Sequence, residues 1–133
     1  ALFGLAIAIE LAQVAVGFEP PDDAIVIGPE AGNLTEYLTW LVSACIIAPV
    51  SEEFFFRGYA FYAFNKRYGL FVALFVSAIG FSAIHGSISS LLPIFAAGVG
   101  LALAYHWTGS LVPPMVAHAV NNLLAVTLMY MGQ

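Results

Sequence analysis

The sequence has very little charge of either sign. Of its 133 residues, three are Lys or Arg and eight are Asp or Glu, whereas 62% are hydrophobic. A soluble domain carries about 25% charged residues, so this composition excludes an ordinary soluble protein and predicts an integral membrane chain. Three basic residues cannot form a surface for phosphates, which excludes nucleic acid as a partner.

Cysteine and strand patterns are scarce as well. Cys45 is the only cysteine, so no disulfide can form within the chain. No alternation of polar and apolar residues and no internal repeat is visible, which argues against a sheet or a solenoid. Long apolar runs separated by short polar segments remain. We therefore predict an all-α fold, a polytopic transmembrane helical bundle of about four to five core helices surrounded by membrane lipid.

These runs divide the chain into three parts. Residues 1–17 are apolar but short for a span of about 20 residues, so we expect a partial transmembrane helix that begins before this sequence. Residues 18–33 are rich in Pro, Gly and Asp and predict a polar loop. Residues 34–133 form the core. Its predicted helices are Leu34–Pro49, Ser51–Phe64, Leu70–His85, Leu91–Trp107 and Leu111–Met131.

The junction at Pro49 is open to two interpretations. The proline could kink one long helix. Alternatively, Ser51 could cap a new helix with Glu52 and Glu53 in its first turn, where the helix dipole favours carboxylates. Further along the chain, Asn65–Gly69 is polar and predicts a clear turn.

Glu52, Glu53 and Arg57 form a charged cluster inside an apolar helix. Ionisable groups at membrane depth are costly, so such a cluster indicates a functional site. Glu53 and Arg57 are four residues apart, share a helix face and can neutralise each other. Glu52 is rotated from Glu53 by about 100° and is not placed to share the arginine. Glu52 therefore needs partners on other helices.

Counting residues from the turns brings such partners to the level of Glu52. At a rise of 1.5 Å per residue, Glu52 lies roughly 21 Å before Lys66, and His85 lies roughly 24 Å beyond the same turn. On the last helix, His118 and Asn122 lie roughly 12 and 18 Å from the preceding turn. Polar side chains from three helices are therefore predicted to converge on one layer.

This layer holds the groups that peptide hydrolysis within a membrane requires. Glu52 is the predicted base that activates water, and His85 can hold the same water from a facing helix. His118 and Asn122 can both donate hydrogen bonds, which suits the carbonyl oxygen of a peptide as it becomes tetrahedral.

At these residues the chain resembles the CPBP family of intramembrane proteases, which includes the CAAX prenyl endopeptidases and relatives linked to bacteriocin processing and self-immunity. The family's motifs are Glu-Glu-x-x-x-Arg, Phe-x-x-x-His and His-x-x-x-Asn. They occur in this order at Glu52–Arg57, Phe81–His85 and His118–Asn122. The resemblance runs from about Thr35 to Gly132.

The resemblance implies a peptidase of the bacterial plasma membrane, with the same roles for the four residues of the layer. Glu53 and Arg57 would brace the fold or contact the substrate. That substrate would be a peptide or protein. Several helices of the family's eukaryotic members are missing from this chain, so prenylation of the substrate stays open.

Two alternatives accompany this hypothesis, which itself requires no cofactor. Glu52, His85 and His118 are ordinary zinc ligands and could hold Zn²⁺ in a zinc-dependent version of the same peptidase, although no His-Glu-x-x-His spacing is present. The chain could instead be a non-catalytic membrane immunity or scaffold protein, in which the polar layer serves only helix packing.

Membrane orientation is also open. Lys66 and Arg67 would place their turn in the cytoplasm by the positive-inside rule, and the counted depths then put the polar layer nearer the other face. The resemblance to CAAX proteases, by contrast, implies access from the cytosol.

Overall fold

The computed structural model describes residues 28–29, 33–85 and 90–131. Within these ranges the chain is helical and has no strand, which confirms the predicted all-α bundle. The predicted helix at 1–17 and most of the predicted loop at 18–33 lie outside the described residues. Four helices follow one another: α1, Leu34–Tyr68; α2, Leu70–Ala83; α3, Leu91–Thr108; and α4, Val112–Met131.

α1 runs through Pro49 as one long helix, as in the first of the two interpretations of this junction. The Ser51 hydroxyl donates to two carbonyls of the preceding turn, at 2.8 and 3.1 Å, and therefore does not cap a new helix. Instead, α1 widens to π-helical hydrogen bonding over Ser43–Ile47 and Phe54–Phe61. Such widened turns occur where a helix must fit an interruption of its regular hydrogen bonds, and often at functional sites.

Two helices end at glycines with positive φ. α1 continues to Tyr68 and stops at Gly69, whose φ is 85°, so the predicted turn at 65–69 is narrower than expected. Its basic residues, Lys66 and Arg67, lie in the last helical turn, where they complement the helix dipole. α3 stops at Gly109, with φ 64°. Glycine adopts this left-handed conformation without the steric cost that a Cβ brings.

The distribution of buried and exposed side chains is the reverse of that in a soluble protein. Large apolar side chains of all four helices are exposed, which suits a surface covered by lipid. α1, α3 and α4 are long and apolar enough to cross a membrane, and α2 is a shorter apolar helix. The buried polar and charged side chains among the described residues are Glu53, Arg57, Ser77, Ser82 and His118.

Small residues bring α2 and α3 into close contact. A Cβ at Gly98 of α3 would lie 3.2 Å from the Cα of Ala78 on α2 and 3.2 Å from the ring of Phe81. Ala73 and Ala102 are fully buried between the same helices and pack with Phe61 of α1. Because membrane helices associate through van der Waals packing, this approach of two backbones holds the centre of the bundle.

We expect Gly98→Ala to destabilise the bundle. The new methyl group would lie 3.2 Å from the Ala78 Cα, so α2 and α3 must move apart by a few tenths of an ångström. Overpacking of this kind costs about 1–3 kcal/mol. Gly58→Ala is the matched control, because a Cβ there lies at ordinary contact distances, 3.4 Å from the flexible Leu111 side chain and 3.9 Å from the Glu53 carbonyl oxygen. Unfolding in detergent with rising SDS measures both variants. Equal SDS midpoints of unfolding for Gly98→Ala and Gly58→Ala would show that the contact between α2 and α3 is not tight.

Candidate active site

The charged pair of α1 is fully buried. Arg57 Nη1 donates to Glu53 Oε1 at 2.8 Å, and both side chains are 0% exposed. The second amino group, Nη2, donates to the carbonyl of Gly98 on α3 at 3.0 Å. The predicted pairing of Glu53 and Arg57 is therefore confirmed, and it also ties α1 to α3.

His118 of α4 lies between the two glutamates. Its Nδ1 lies 3.0 Å from Glu53 Oε1, and its Nε2 lies 3.9 Å from Glu52 Oε2. Because a carboxylate only accepts hydrogen bonds, the first contact puts a proton on Nδ1 and turns Nε2 toward Glu52. Glu53 and Arg57 are therefore part of the same cluster as His118, a contact that helical spacing alone did not reveal.

Glu52 differs from Glu53 in its surroundings. The Glu52 side chain keeps 21% of its surface exposed, whereas that of Glu53 has none. Glu52 Oε2 is buried and has no hydrogen-bond partner among the described residues. Among the described residues Glu52 is paired with His118 and forms no ion pair or hydrogen bond with His85. Glu53 thus accepts hydrogen bonds from protein donors in the described chain, and Glu52 does not.

His85 follows the last turn of α2. Its Nδ1 lies 2.8 Å from the carbonyl of Phe81, which requires the proton on Nδ1 and leaves Nε2 free to accept. The histidine is exposed and borders a pocket of about 160 Å³ between α2, α3 and α4. The side chains that line the pocket are Phe81, His85, Ile94, Ala97, Leu101, His118, Asn121 and Asn122.

Phe81 holds this arrangement together. The Arg57 guanidinium lies over the Phe81 ring, 4.4 Å from its centre, in a cation–π contact. His118 packs edge-on against the same ring at 5.4 Å, and His85 lies 4.9 Å from it. Phe81 thus connects the buried ion pair with both histidines, which explains physically why an aromatic residue precedes His85 by one helical turn.

Asn122 is anchored to α1. Its Nδ2 donates to the carbonyl of Ala44 at 2.7 Å, inside the first π-helical segment. The neighbouring Asn121 lines the pocket, and its side chain makes no hydrogen bond within the described residues. The motif pattern had not singled out Asn121. Its only signal in the sequence is a second amide beside Asn122 on a helix that is otherwise apolar.

The structure brings three of the predicted site residues to one pocket and the fourth beside it. His85, His118 and Asn122 share one pocket, and Glu52 contacts its wall at His118. The residue count had placed His118 one turn below the other three. In the folded chain, however, His118 is the central residue of the group.

A metal ion needs a specific geometry of ligand side chains. Within the described ranges, no three His, Cys, Asp or Glu side chains lie close enough together to hold one ion. Zinc binding by Glu52, His85 and His118, the alternative ligand set, stays a prediction.

Comparison with known proteins gives two matches. A family model described as type II CAAX prenyl endopeptidase Rce1-like matches residues 34–124, more than half of the chain. The chain is also 34% identical over 83 residues to the membrane-embedded CAAX protease MroQ of Staphylococcus aureus (strain USA300). That alignment covers 58% of this chain and 34% of the relative, so the chain spans about a third of the relative's length. No solved structure matches.

Proposed function

Since the chain belongs to the Rce1-like family of type II CAAX prenyl endopeptidases, we propose that it is the core of an endopeptidase that hydrolyses a peptide bond within the bacterial plasma membrane. The observation that carries the proposal is the position of His118 between Glu52 and Glu53, beside a pocket that contains two histidines and two asparagines. Such a group of polar and charged side chains is costly among apolar membrane helices unless it has a function.

Glu52 is the base in this mechanism. Its Oε2 has no donor among the described residues, so it is available to take a proton from water. His85 helps to hold that water, because its Nδ1 proton is given to the Phe81 carbonyl and its Nε2 can accept.

His118 and Asn122 form the oxyanion site. His118 can donate to the substrate only from Nε2, because Nδ1 is held by Glu53. Donation from Nε2 requires a proton on each ring nitrogen, and the ring lies between the Glu52 and Glu53 side chains. Asn122 contributes a side-chain N–H. Donors fixed before the reaction stabilise the tetrahedral intermediate without reorganisation.

Glu53 and Arg57 act on the chemistry through His118. The carboxylate of Glu53 accepts from both Arg57 and His118, so it fixes the orientation of the imidazole ring as well as neutralising the cation. This arrangement corresponds to the carboxylate that orients a catalytic histidine in other hydrolases. The pair is therefore a positioning device rather than a reacting group.

The substrate is a peptide or protein segment that reaches the pocket from the bilayer. The test is incubation of the detergent-solubilised chain with a prenylated and an unprenylated peptide library, with the Glu52→Gln variant as background. Cleavage by the wild type in at least one library supports the proposal, and the responsive library identifies the substrate class. Folded wild type that cleaves neither library would contradict the peptidase and favour the scaffold alternative.

Peptidase activity is expected to survive removal of metal ions. In the proposed mechanism Glu52 and His85 activate the water, and no bound Lewis acid takes part. The measurement is the cleavage rate after dialysis against a strong chelator, with and without added Zn²⁺. A rate that falls to background and returns with Zn²⁺ would establish the zinc-dependent alternative.

A further inference from the structure

Pro49 removes a hydrogen-bond donor from the first π-helical segment of α1. In this segment the backbone N–H of Ala48 donates to the carbonyl of Ser43, five residues earlier. The same spacing pairs the carbonyl of Ala44 with residue 49, which is proline and has no N–H. The carbonyl of Ala44 therefore receives no hydrogen bond from the residue five positions later in its own helix.

Asn122 supplies the missing donor. Its Nδ2 lies 2.7 Å from the Ala44 oxygen, the shortest distance among the bonds that join α1 to α4. In a membrane, a backbone carbonyl without a partner is costly, and neighbouring helices commonly supply the missing bond near a proline. The bond also takes up one of the two N–H groups of the Asn122 amide and so determines how the amide is turned.

We propose that Pro49 is a positioning residue for Asn122. By leaving the Ala44 carbonyl free, the proline creates an acceptor that holds the Asn122 amide at the pocket wall, with its second N–H available to substrate. The inference rests on the proposed function for its catalytic consequence. Its structural part, the dependence of the Asn122 anchor on Pro49, stands on the geometry alone.

Pro49→Ala tests the proposal because it adds a backbone N–H while keeping a small side chain. The new N–H competes for the Ala44 carbonyl and releases the Asn122 amide. Loss of an oxyanion donor lowers kcat by about 10²–10³-fold. We expect release of the Asn122 amide to lower kcat by at least about 10-fold. KM stays near that of the wild type. The unfolding midpoint stays equal or rises, because proline inside a helix is unfavourable.

A double-mutant cycle separates this mechanism from a general loss of packing. If Pro49 acts through Asn122, Pro49→Ala has no further effect on kcat in the Asn122→Ala background. Additive losses would overturn the proposal, as would a Pro49→Ala enzyme with the kcat of the wild type. Pro93→Ala is the matched control: Pro93 is also buried, but it lies in the first turn of α3, where no N–H is needed.

The hydrogen bond from the Asn122 amide to the Ala44 carbonyl can be measured directly, without substrate. In protein labelled with ¹⁵N at asparagine, one side-chain amide proton of Asn122 is expected to exchange slowly in the wild type and rapidly in Pro49→Ala. Pro49→Val adds the same N–H and replaces Pro49→Ala if that variant does not fold. Rapid exchange of both protons in the wild type would refute the anchor, whether or not any peptide is cleaved.

Discussion

Glu52→Gln is expected to abolish peptide cleavage while leaving the bundle folded. The amide is the same size as the carboxylate but cannot take a proton from water, and loss of a general base costs about 10²–10⁴-fold in rate. Glu52 Oε2 has no hydrogen bond among the described residues and lies 3.9 Å from His118 Nε2, so the substitution removes no hydrogen bond from the fold. The rate is measured on the first peptide that the wild type cleaves, together with SDS unfolding of both proteins.

Glu36→Gln is the matched control for this variant. Glu36 lies in the first turn of α1, on the same helix as Glu52 but well before the cluster. Its replacement is expected to leave cleavage within about twofold of the wild type. If Glu52→Gln retained a rate close to that of Glu36→Gln, Glu52 would not be the base.

Glu53→Gln is expected to produce the opposite result, a loss of stability. Arg57 is fully buried, and Glu53 is its ion-pair partner in the described chain. Removing one member of a buried pair leaves a charge without compensation, which costs about 3–5 kcal/mol. The SDS midpoint of unfolding should fall accordingly, and any protein that remains folded should turn over slowly because His118 has lost its carboxylate partner.

A second substitution tests the reason for that loss. In Glu53→Gln combined with Arg57→Met, no buried charge is left unpaired, so the midpoint should recover a large part of the difference. A double variant that is less stable than Glu53→Gln alone would mean that the cation–π contact with Phe81 and the bond to Gly98 outweigh the charge imbalance. The ion-pair explanation would then be wrong.

Much of this fold follows from apolar runs and turn residues. The ends of α3 and α4 lie within a residue of the predicted ones, because Gly109 and the polar residues beside it break the pattern sharply. The ion pair of Glu53 and Arg57 also follows from their spacing of four residues, since such neighbours meet on any α-helix. Local chemistry alone determines these features.

The continuity of α1 and the details of the site could not be predicted in this way. Residue counting assumes 3.6 residues per turn, whereas two segments of α1 are wider and rotate the faces that follow them. The contact of His118 with Glu53 and the bond from Asn122 to Ala44 depend on how α4 packs against those widened turns. Such distances are set by the packed bundle and not by any one helix.

Glu52 is proposed to be the base, and Glu53 the ion-pair partner of Arg57. The most direct test of these two roles is to measure kcat and the SDS unfolding midpoint of Glu52→Gln and Glu53→Gln side by side. The predicted result is that Glu52→Gln loses at least about 10² in kcat with an unchanged midpoint, whereas Glu53→Gln unfolds at clearly lower SDS. A Glu52→Gln protein that cleaves peptide at the wild-type rate would contradict the proposed mechanism.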